Sequence, residues 1–344
     1  MSLIDFLCRF SDFVFGKRLS EKFRMAANVI LHEWHEFPPE CNVFSKEFQN
    51  VSDNEICFVF KDMDEESLDQ ILRYLIYKRD LAVPDRYTKY FFYNYHALYR
   101  PAEVRQIARQ EKELEKTRKK YYSSNGLNLG SYESLLRHHG LKAAPPEVKQ
   151  YLQNGVFLDV GACWGDSALV FAKHYQPGKI ISFEPSGLNR KIYLENMQKN
   201  GIPVSQYEVV PLGLGRDCRS LIYNETLGGG NSLREEVRQE GNAVELNITT
   251  CDLFCSERKL TEIRLIKADI EGMGLDMLLG SENVIRENRP VLSLSIYHNR
   301  EELFGIYQTL KNWNLKYHIE ARMLAFPRHF SELSLIAWPE ELNS

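Results

Sequence analysis

The chain has 344 residues, enough for one large domain or two smaller ones. It is 44% hydrophobic and 26% charged with a net charge of −4, which excludes the basic footprint of a nucleic-acid-binding protein. Seven scattered cysteines, an odd number with only Cys251 and Cys255 close together, disfavour a zinc site and favour reduced thiols in an intracellular protein. The apolar start, residues 1–15, is broken by charges and is typical of neither a signal peptide nor a spanning helix, so we expect a cytoplasmic protein with no transmembrane segment.

Residues 1–128 are predicted to form a mainly helical N-terminal region that serves substrate recognition or homo-oligomerisation. Within residues 67–78, leucines and isoleucines recur at helical spacing and predict an amphipathic helix. Residues 87–99 are dense in tyrosine and phenylalanine, which favours an aromatic core or subunit contact over a sugar- or base-binding surface. Residues 101–122 carry mixed charges and predict a solvated helix.

Two pairs of histidines lie close together in the sequence and raise the question of a metal site. His32 and His35, in L-H-E-W-H, are three residues apart, whereas a metalloprotease motif needs two histidines four apart on one helix face. His138 and His139 are adjacent and cannot share one helix face, so we expect surface residues. Neither pair predicts a metal site.

The strongest local pattern is V-F-L-D-V-G-A-C-W-G, residues 156–165. An almost wholly apolar strand is followed by Gly161 and Gly165, and then by a helix that begins near Asp166. Ligands of open α/β sheets bind outside the carboxyl ends of such strands. The glycines allow a sharp turn and the approach of a ligand to bare backbone.

The spacing D-x-G-x-x-x-G lacks a glycine of the dinucleotide fingerprint, which favours a cofactor without phosphates. S-adenosyl-L-methionine is such a cofactor, and the negative charge of Asp159 suits its cationic end. A second strand at residues 179–183 leads to Glu184, which is placed to accept hydrogen bonds from ribose hydroxyls. Because NAD enzymes use the same device, a nicotinamide-dependent oxidoreductase stays open.

Strands and helices then alternate. Strands are predicted at residues 207–210, 264–268 and 291–296, helices at 187–200 and 301–313, and antiparallel pairs at 219–223 with 244–250 and 316–319 with 333–338. The fold class is therefore α/β with a doubly wound sheet. Three successive glycines, residues 228–230, predict either a segment that closes over a ligand or a flexible hairpin loop.

The chain resembles the FkbM family of methyltransferases through motifs that occur in family order over residues 150–300. These are D-V-G-A-C-W-G-D-S at 159–167, F-E-P at 183–185, N-S-L at 231–233, I-K-A-D-I-E-G at 266–272 and R-P-V-L-S-L-S-I-Y-H at 289–298. The family usually has glutamate two residues after the E-G pair, where this chain has Gly274.

The resemblance implies a Rossmann-like seven-stranded methyltransferase sheet, doubly wound with an antiparallel last strand, over residues 129–344. It implies S-adenosyl-L-methionine as cofactor and O-methylation, most often of a sugar hydroxyl on a polysaccharide or glycan precursor. The residues it implies for cofactor binding are Asp159, Gly161, Gly165, Asp166, Ser167, Phe183, Glu184, Pro185, Leu212, Ser232 and Asp269.

Three groups follow the carboxyl ends of neighbouring strands and are the predicted catalytic residues: Asp269, Glu271 and His298. His298 or Asp269 is the predicted base, and Glu271 the group that binds substrate hydroxyls. The same residues can supply metal ligands, although metal-free base catalysis is favoured. A non-catalytic assembly protein that keeps the fold also stays open, mainly because of Gly274.

Overall fold

The computed structural model of the chain describes residues 48, 50–82, 101–130, 132–225, 242–325 and 332–343. Several predictions lie outside these described residues. They concern the apolar start, the L-H-E-W-H segment with His32 and His35, the aromatic segment 87–99, and the glycine loop with Ser232.

The described helices are α1 (Asp53–Val59), α2 (Glu65–Ala82), α3 (Pro101–Arg118), α4 (Pro146–Leu152), α5 (Asp166–His174), α6 (Gly187–Lys199), α7 (Cys251–Arg258), α8 (Gly274–Leu279), α9 (Glu282–Asn288) and α10 (Tyr307–Trp313). Two π-helical segments, Tyr132–Leu136 and Glu302–Ile306, precede α4 and α10. The strands are β1 (Val156–Val160), β2 (Lys179–Phe183), β3 (Tyr207–Val210), β4 (Leu212–Leu214), β5 (Arg219–Glu225), β6 (Asn242–Thr249), β7 (Ile263–Ala268), β8 (Val291–Ser295), β9 (Tyr317–Met323) and β10 (Leu333–Pro339). In the part of the chain with assigned structure, no helix combines the length and apolarity needed to cross a bilayer.

Seven strands form one sheet in the order β3-β2-β1-β7-β8-β10-β9. Strand β10 runs antiparallel to both of its neighbours, and the other pairings are parallel. The Rossmann-like seven-stranded sheet with an antiparallel last strand is thereby confirmed. Parallel pairing also brings the carboxyl ends of β1, β2 and β7 to one edge, because Val160 lies beside Phe183 and Ala268.

The sheet is covered by helices on both faces. On one face, α4 and α5 bury residues such as Leu152 and Leu169 against Phe157 of β1. On the other face, helices including α7, α8 and α10 pack on the alternate side chains of the strands, such as Leu158. Burial on both faces explains why the central strands are nearly continuous apolar runs.

Helices α1 and α2 of the N-terminal region pack into the same core as the sheet. Ile71 and Leu75 of α2 are fully buried in the cluster that contains the strands. Phe60, just after α1, stacks on Phe304 with ring centroids 5.7 Å apart, and the Ala321 amide of β9 donates a 3.0 Å hydrogen bond to Ser67 Oγ. These two helices therefore stabilise the sheet directly. The division into domains 1–128 and 129–344 stays a prediction.

His138 and His139 are buried, which corrects the expectation of surface residues. Both have φ near +50°, so they form a tight turn after the π-helical segment and do not lie on a helix face. His138 Nδ1 lies 2.9 Å from the Tyr175 hydroxyl, and the His139 carbonyl accepts a 2.7 Å hydrogen bond from Ser293 Oγ. Burial lowers the pKa of each ring to about 3.

A second sheet stands beside the carboxyl edge of the first, in the order β4-β6-β5. The predicted antiparallel pair at residues 219–223 and 244–250 is present as β5 and β6. Residues 212–214, which were not predicted as a strand, pair in parallel with β6.

Candidate active site

A cleft of about 820 Å³ lies between the carboxyl edge of the main sheet and the inner face of the small sheet. This volume includes space that is open to solvent. Six of the predicted cofactor-binding residues line it: Gly161, Phe183, Glu184, Pro185, Leu212 and Asp269. The cleft therefore lies where the strand–turn–helix pattern indicated.

The two glycines after β1 are explained by their backbone angles and by the close packing around them. Gly161 has φ +76°, and a Cβ there would lie 1.9 Å from the carbonyl oxygen of Asp269. Gly165 has φ +83°, and a Cβ there would lie 2.7 Å from the Tyr193 ring. The first glycine thus lets the ends of β1 and β7 approach each other, and the second lets α5 begin against the α6 side chain.

Asp159 lies beneath this turn and does not line the cleft. Its carboxylate is fully buried, lies 3.2 Å from Lys267 Nζ, and accepts a 2.7 Å hydrogen bond from Ser167 Oγ. Lys267 Nζ also donates to the carbonyl oxygen of Gly161 at 2.9 Å. Burial alone would lower the pKa of Lys267, but the negative charge of Asp159 raises it. The negative charge of Asp159 thus faces a buried lysine, and its contact with a cationic ligand stays a prediction.

Asp166 and Ser167 also support the turn from below. Asp166 is the first residue of α5, Gly165 is the residue before the helix, and the Asp166 carboxylate accepts a short hydrogen bond from Ser134 Oγ. Burial raises the pKa of Asp166. Four predicted cofactor residues, Asp159, Gly165, Asp166 and Ser167, thus hold the loop in place from outside the cleft wall.

Glu184 is the carboxylate at the tip of β2 and is only 5% exposed. Its oxygens accept hydrogen bonds of 2.9 Å from the backbone amides of Cys163 and Ser186. Burial raises the pKa of Glu184 to about 7, although these amides oppose the shift. The side chain is fixed at the cleft wall and can still accept hydrogen bonds from a ligand.

The small sheet supplies a cleft wall that sequence reasoning missed. Tyr223, Leu246 and Ile248 line the cavity together with Glu184. The alternation of Val244, Leu246 and Ile248 along β6 was the available signal, because period-two patterning places alternate residues on one face. The apolar face of β6 has to be buried against something, and in this structure it covers the cleft.

At the other end of the cleft, the three predicted catalytic residues lie together. His298 Nε2 is 3.3 Å from Asp269 Oδ1 and 3.7 Å from Glu271 Oε2. The Tyr297 hydroxyl donates to Asp269 Oδ1 at 3.0 Å. Burial alone would raise the pKa of Asp269, but the hydrogen bond and charge of His298 lower it well below its usual value.

Glu302 completes this cluster and was not predicted. Its Oε2 lies 2.9 Å from His298 Nδ1, so both ring nitrogens of His298 face carboxylates. Burial alone would lower the pKa of His298, but the charge of Glu302, the hydrogen bond to Asp269 and the charge of Glu271 raise it well above its usual value. Carboxylates on both sides of the ring therefore favour the protonated form of His298, which is not a base. The available signal was an acidic residue four positions after His298, at the start of the predicted helix.

Glu271 lines the cleft as Asp269 does, and its side chain is 30% exposed, against 23% for Asp269. Its backbone has φ +52°, a left-handed conformation that is rare outside glycine and asparagine. Burial raises the pKa of Glu271 to about 7, with the charge of Asp269 adding to the shift and that of His298 opposing it. A carboxylate with this pKa can take up a proton near neutral pH.

Two further observations describe the groups around the cleft. Among the described residues, no group of three or more histidine, cysteine or acidic side chains has a geometry that would hold a metal ion. The described residues that line the cleft include the carboxylates Glu184, Asp269 and Glu271 but no lysine or arginine. The site therefore favours a neutral or cationic ligand over one that carries phosphates.

Comparisons with known proteins agree with the motifs. Residues 159–322 match the sequence family described as Methyltransferase FkbM domain, which confirms the predicted family. A protein named Methyltransferase 1 from Beauveria bassiana (strain ARSEF 2860) is 24% identical over 157 residues, which are 40% of this chain and 62% of that protein. The match therefore spans less than two thirds of that relative.

Two solved structures are similar at low identity. The methyltransferase FkbM from Methylobacillus flagellatus KT is 16% identical, with a TM-score of 0.49 over 82% of this chain and 58% of that chain. An O-methyltransferase from Bacillus cereus in complex with SAH is 11% identical, with a TM-score of 0.38 over 66% of this chain and 89% of that chain.

Proposed function

We propose that the chain, whose residues 159–322 match the methyltransferase FkbM domain, transfers a methyl group from S-adenosyl-L-methionine to a hydroxyl group. The observation that carries this proposal is the charge of the cleft. Its described lining residues supply three carboxylates and no cationic side chain. A sulfonium cofactor gains from such a field, whereas the pyrophosphate of NAD is repelled by it.

The residues present fit the parts of this cofactor. Glu184 would accept hydrogen bonds from ribose hydroxyls, since its carboxylate is held at the tip of β2 by two backbone amides. Leu246 and Ile248 would cover the adenine ring with an apolar surface. Asp269, whose pKa is held low, keeps a negative charge beside the turn at Gly161.

When bound, S-adenosyl-L-methionine supplies an electrophilic methyl group and leaves as a neutral thioether. The protein has to supply the base for the acceptor hydroxyl. Glu271 is best suited, because it faces the cleft and has a pKa of about 7. Its carboxylate accepts the hydroxyl proton as the new oxygen–carbon bond forms, a different role from the hydroxyl-binding one expected from the sequence.

His298 and Asp269 assist in this proposal but are not the base. His298 holds its protons between carboxylates, and Asp269 is a weak base because its pKa is low. The imidazolium would fix the orientation of Glu271 across the 3.7 Å that separates them. Positioning of this kind contributes much of the rate of a direct transfer.

The acceptor in this proposal is a sugar hydroxyl on a polysaccharide or glycan precursor. The carboxylates at this end of the cleft accept hydrogen bonds from neutral polyols and repel phosphorylated acceptors. This acceptor class follows the family resemblance, and the charge of the described residues is compatible with it.

The test is a calorimetric titration of the full chain with S-adenosyl-L-methionine, its demethylated product and NAD. We expect the first two to bind and NAD not to bind. The variant Glu184→Gln should weaken binding about 10-fold or more, the loss of a charge-assisted hydrogen bond. Glu287→Gln is the matched control, because Glu287 is exposed and precedes β8, at the opposite edge of the sheet.

Binding of NAD alone would replace this proposal with the oxidoreductase, and binding of none of the three to folded protein would favour the non-catalytic assembly role. If the cofactor binds, a panel of sugar acceptors and isotope-labelled cofactor should give methylated product. Glu271→Gln should then abolish product formation while cofactor binding stays.

A further inference from the structure

Glu302 is buried, with only 1% of the residue exposed, and it was not among the predicted site residues. Its Oε1 accepts a 2.7 Å hydrogen bond from the Gly274 amide, and its Oε2 lies 2.9 Å from His298 Nδ1. One carboxylate thus joins the first residue of α8 to the histidine that follows β8. Such a contact fixes the ring of His298 in one orientation.

The simplest alternative is a helix cap. Asn299 and Glu302 have the spacing of a capping box, in which the glutamate side chain returns to the backbone amide of the capping residue. Half of that motif is present, because Asn299 Oδ1 accepts a 2.7 Å hydrogen bond from the Glu302 amide. The other half is not, since the described hydrogen bonds of the Glu302 carboxylate go to Gly274 and His298. The carboxylate therefore does more than cap its own helix.

Glycine at position 274 leaves room for the Glu302 carboxylate, and a larger residue would displace it. A Cβ at position 274 would lie 2.8 Å from Glu302 Oε1 and 3.4 Å from its Cδ. Gly274 has no positive φ that would itself require glycine. Glycine at the start of α8 therefore leaves the space that Glu302 occupies.

Charged groups face His298 from each element that packs against it. The Nε2 side faces the loop after β7, and the Nδ1 side faces the π-helical segment before α10. Strand β10 begins beside Glu332, whose pKa burial raises to about 7 and the charge of His298 lowers. The titratable groups around the ring are Asp269, Glu271, Tyr297, Glu302 and Glu332. Of these, Glu302 is the partner within hydrogen-bond distance of Nδ1.

We propose that Glu302 is a positioning residue for the proposed methyl transfer: it holds His298 so that Nε2 is directed at Asp269 and Glu271. This inference rests on the proposed function for its catalytic consequence. The orientation and charge of His298 can nevertheless be measured without any substrate. Glu302 acts through His298 and does not touch the reacting atoms.

The experiment is a nitrogen NMR titration of the full chain with labelled histidine, in which His298→Gln identifies the His298 signals. In the wild type we expect both ring nitrogens to stay protonated at about pH 7, where an ordinary histidine has lost most of its charge. In Glu302→Gln the His298 signals should titrate at lower pH. Glu320→Gln is the matched control, since Glu320 lies 3.0 Å from His318 Nε2 on β9, away from the cleft.

A second variant guards against misfolding of Glu302→Gln. Gly274→Ala keeps the carboxylate but displaces it, so it should move the His298 titration in the same direction. A wild-type His298 that is neutral at pH 7, or His298 signals that neither variant moves, would overturn the inference. The titration with cofactor is judged separately, so loss of the proposed function alone leaves this result intact.

Once an acceptor is known, kinetics give a further readout. Glu302→Gln should lower kcat about 10- to 100-fold, the range for loss of a partner that orients a histidine, with cofactor affinity unchanged. The pH dependence of kcat should change with it, which a purely structural role would not produce. An unchanged kcat and pH profile in a folded variant would contradict the positioning role.

Discussion

The Tyr74 hydroxyl donates a 2.5 Å hydrogen bond to the carbonyl oxygen of Tyr297, 223 positions later in the chain. Helix α2 is thereby tied to the residue next to His298. We expect Tyr74→Phe to lower the free energy of unfolding by about 1 kcal/mol, because a part-buried carbonyl loses its partner. Urea unfolding measures the loss.

The same variant should also weaken the order of the loop after β8, which hydrogen exchange at residues 297–301 would detect as faster exchange. Tyr122→Phe is the control, since the Tyr122 side chain is exposed and should cost under about 0.5 kcal/mol. Equal effects of the two variants would show that α2 does not stabilise the loop that carries His298.

Asp159 and Lys267 form a buried ion pair below the glycine turn. Asp159→Asn leaves the lysine with less compensating charge, so we expect a loss of about 3 to 5 kcal/mol in unfolding free energy. Replacing both, with Asp159→Asn and Lys267→Met, should recover part of that loss. The exposed pair of Glu208 and Arg258, at 2.7 Å, provides the comparison: Glu208→Gln should cost under about 1 kcal/mol. A small cost for Asp159→Asn alone would show that other carboxylates neutralise the lysine.

Glu184 should make the protein less stable as pH rises. Burial raises its pKa from 4.5 to about 7, so the folded state binds more protons than the unfolded state between these values. Stability is therefore lost as pH increases through this window. Relative to Glu184→Gln, the wild type should lose about 3 kcal/mol of unfolding free energy between pH 4 and pH 8. Thermal unfolding across this pH range is the measurement, and a pH-independent difference would contradict the raised pKa.

Replacing Tyr223 should raise the stability of the protein and weaken its binding of ligand. Its hydroxyl is buried at the cleft wall, without a hydrogen-bond partner of good geometry among the described residues. Tyr223→Phe should raise the free energy of unfolding by about 1 kcal/mol, since a buried polar group is removed. If the hydroxyl contacts the ligand, the same change should weaken binding of S-adenosyl-L-methionine several-fold. A more stable variant with unchanged affinity would assign Tyr223 to the wall alone.

Much of the fold follows from local sequence. Continuous apolar runs such as Val156–Val160 mark strands buried on both faces, and their alternation with helical spacing fixes the sheet class. The carboxyl-end rule then brings Glu184 and Asp269 to one edge. Physical reasoning from the residues and the family motifs converge on this part of the chain.

What the sequence does not reveal is which way a side chain points. Asp159 and Glu184 both lie near strand ends, yet one faces a buried lysine and the other the cleft. Ion pairing of this kind depends on Lys267, a residue over 100 positions away. The charge of His298 is equally hidden, because it depends on carboxylates from two separate elements, Asp269 and Glu302.

The insertion of β10 between β8 and β9 has a consequence for synthesis. The Ile296 amide, two residues before His298, donates to the carbonyl oxygen of Leu333 at the start of β10. The loop that carries His298 can therefore pair with β10 only after residues 333–339 have left the ribosome. Because such distant pairings form late, the nascent chain exposes the edge of β8 until β10 has been made, and we expect chaperones to recognise it there.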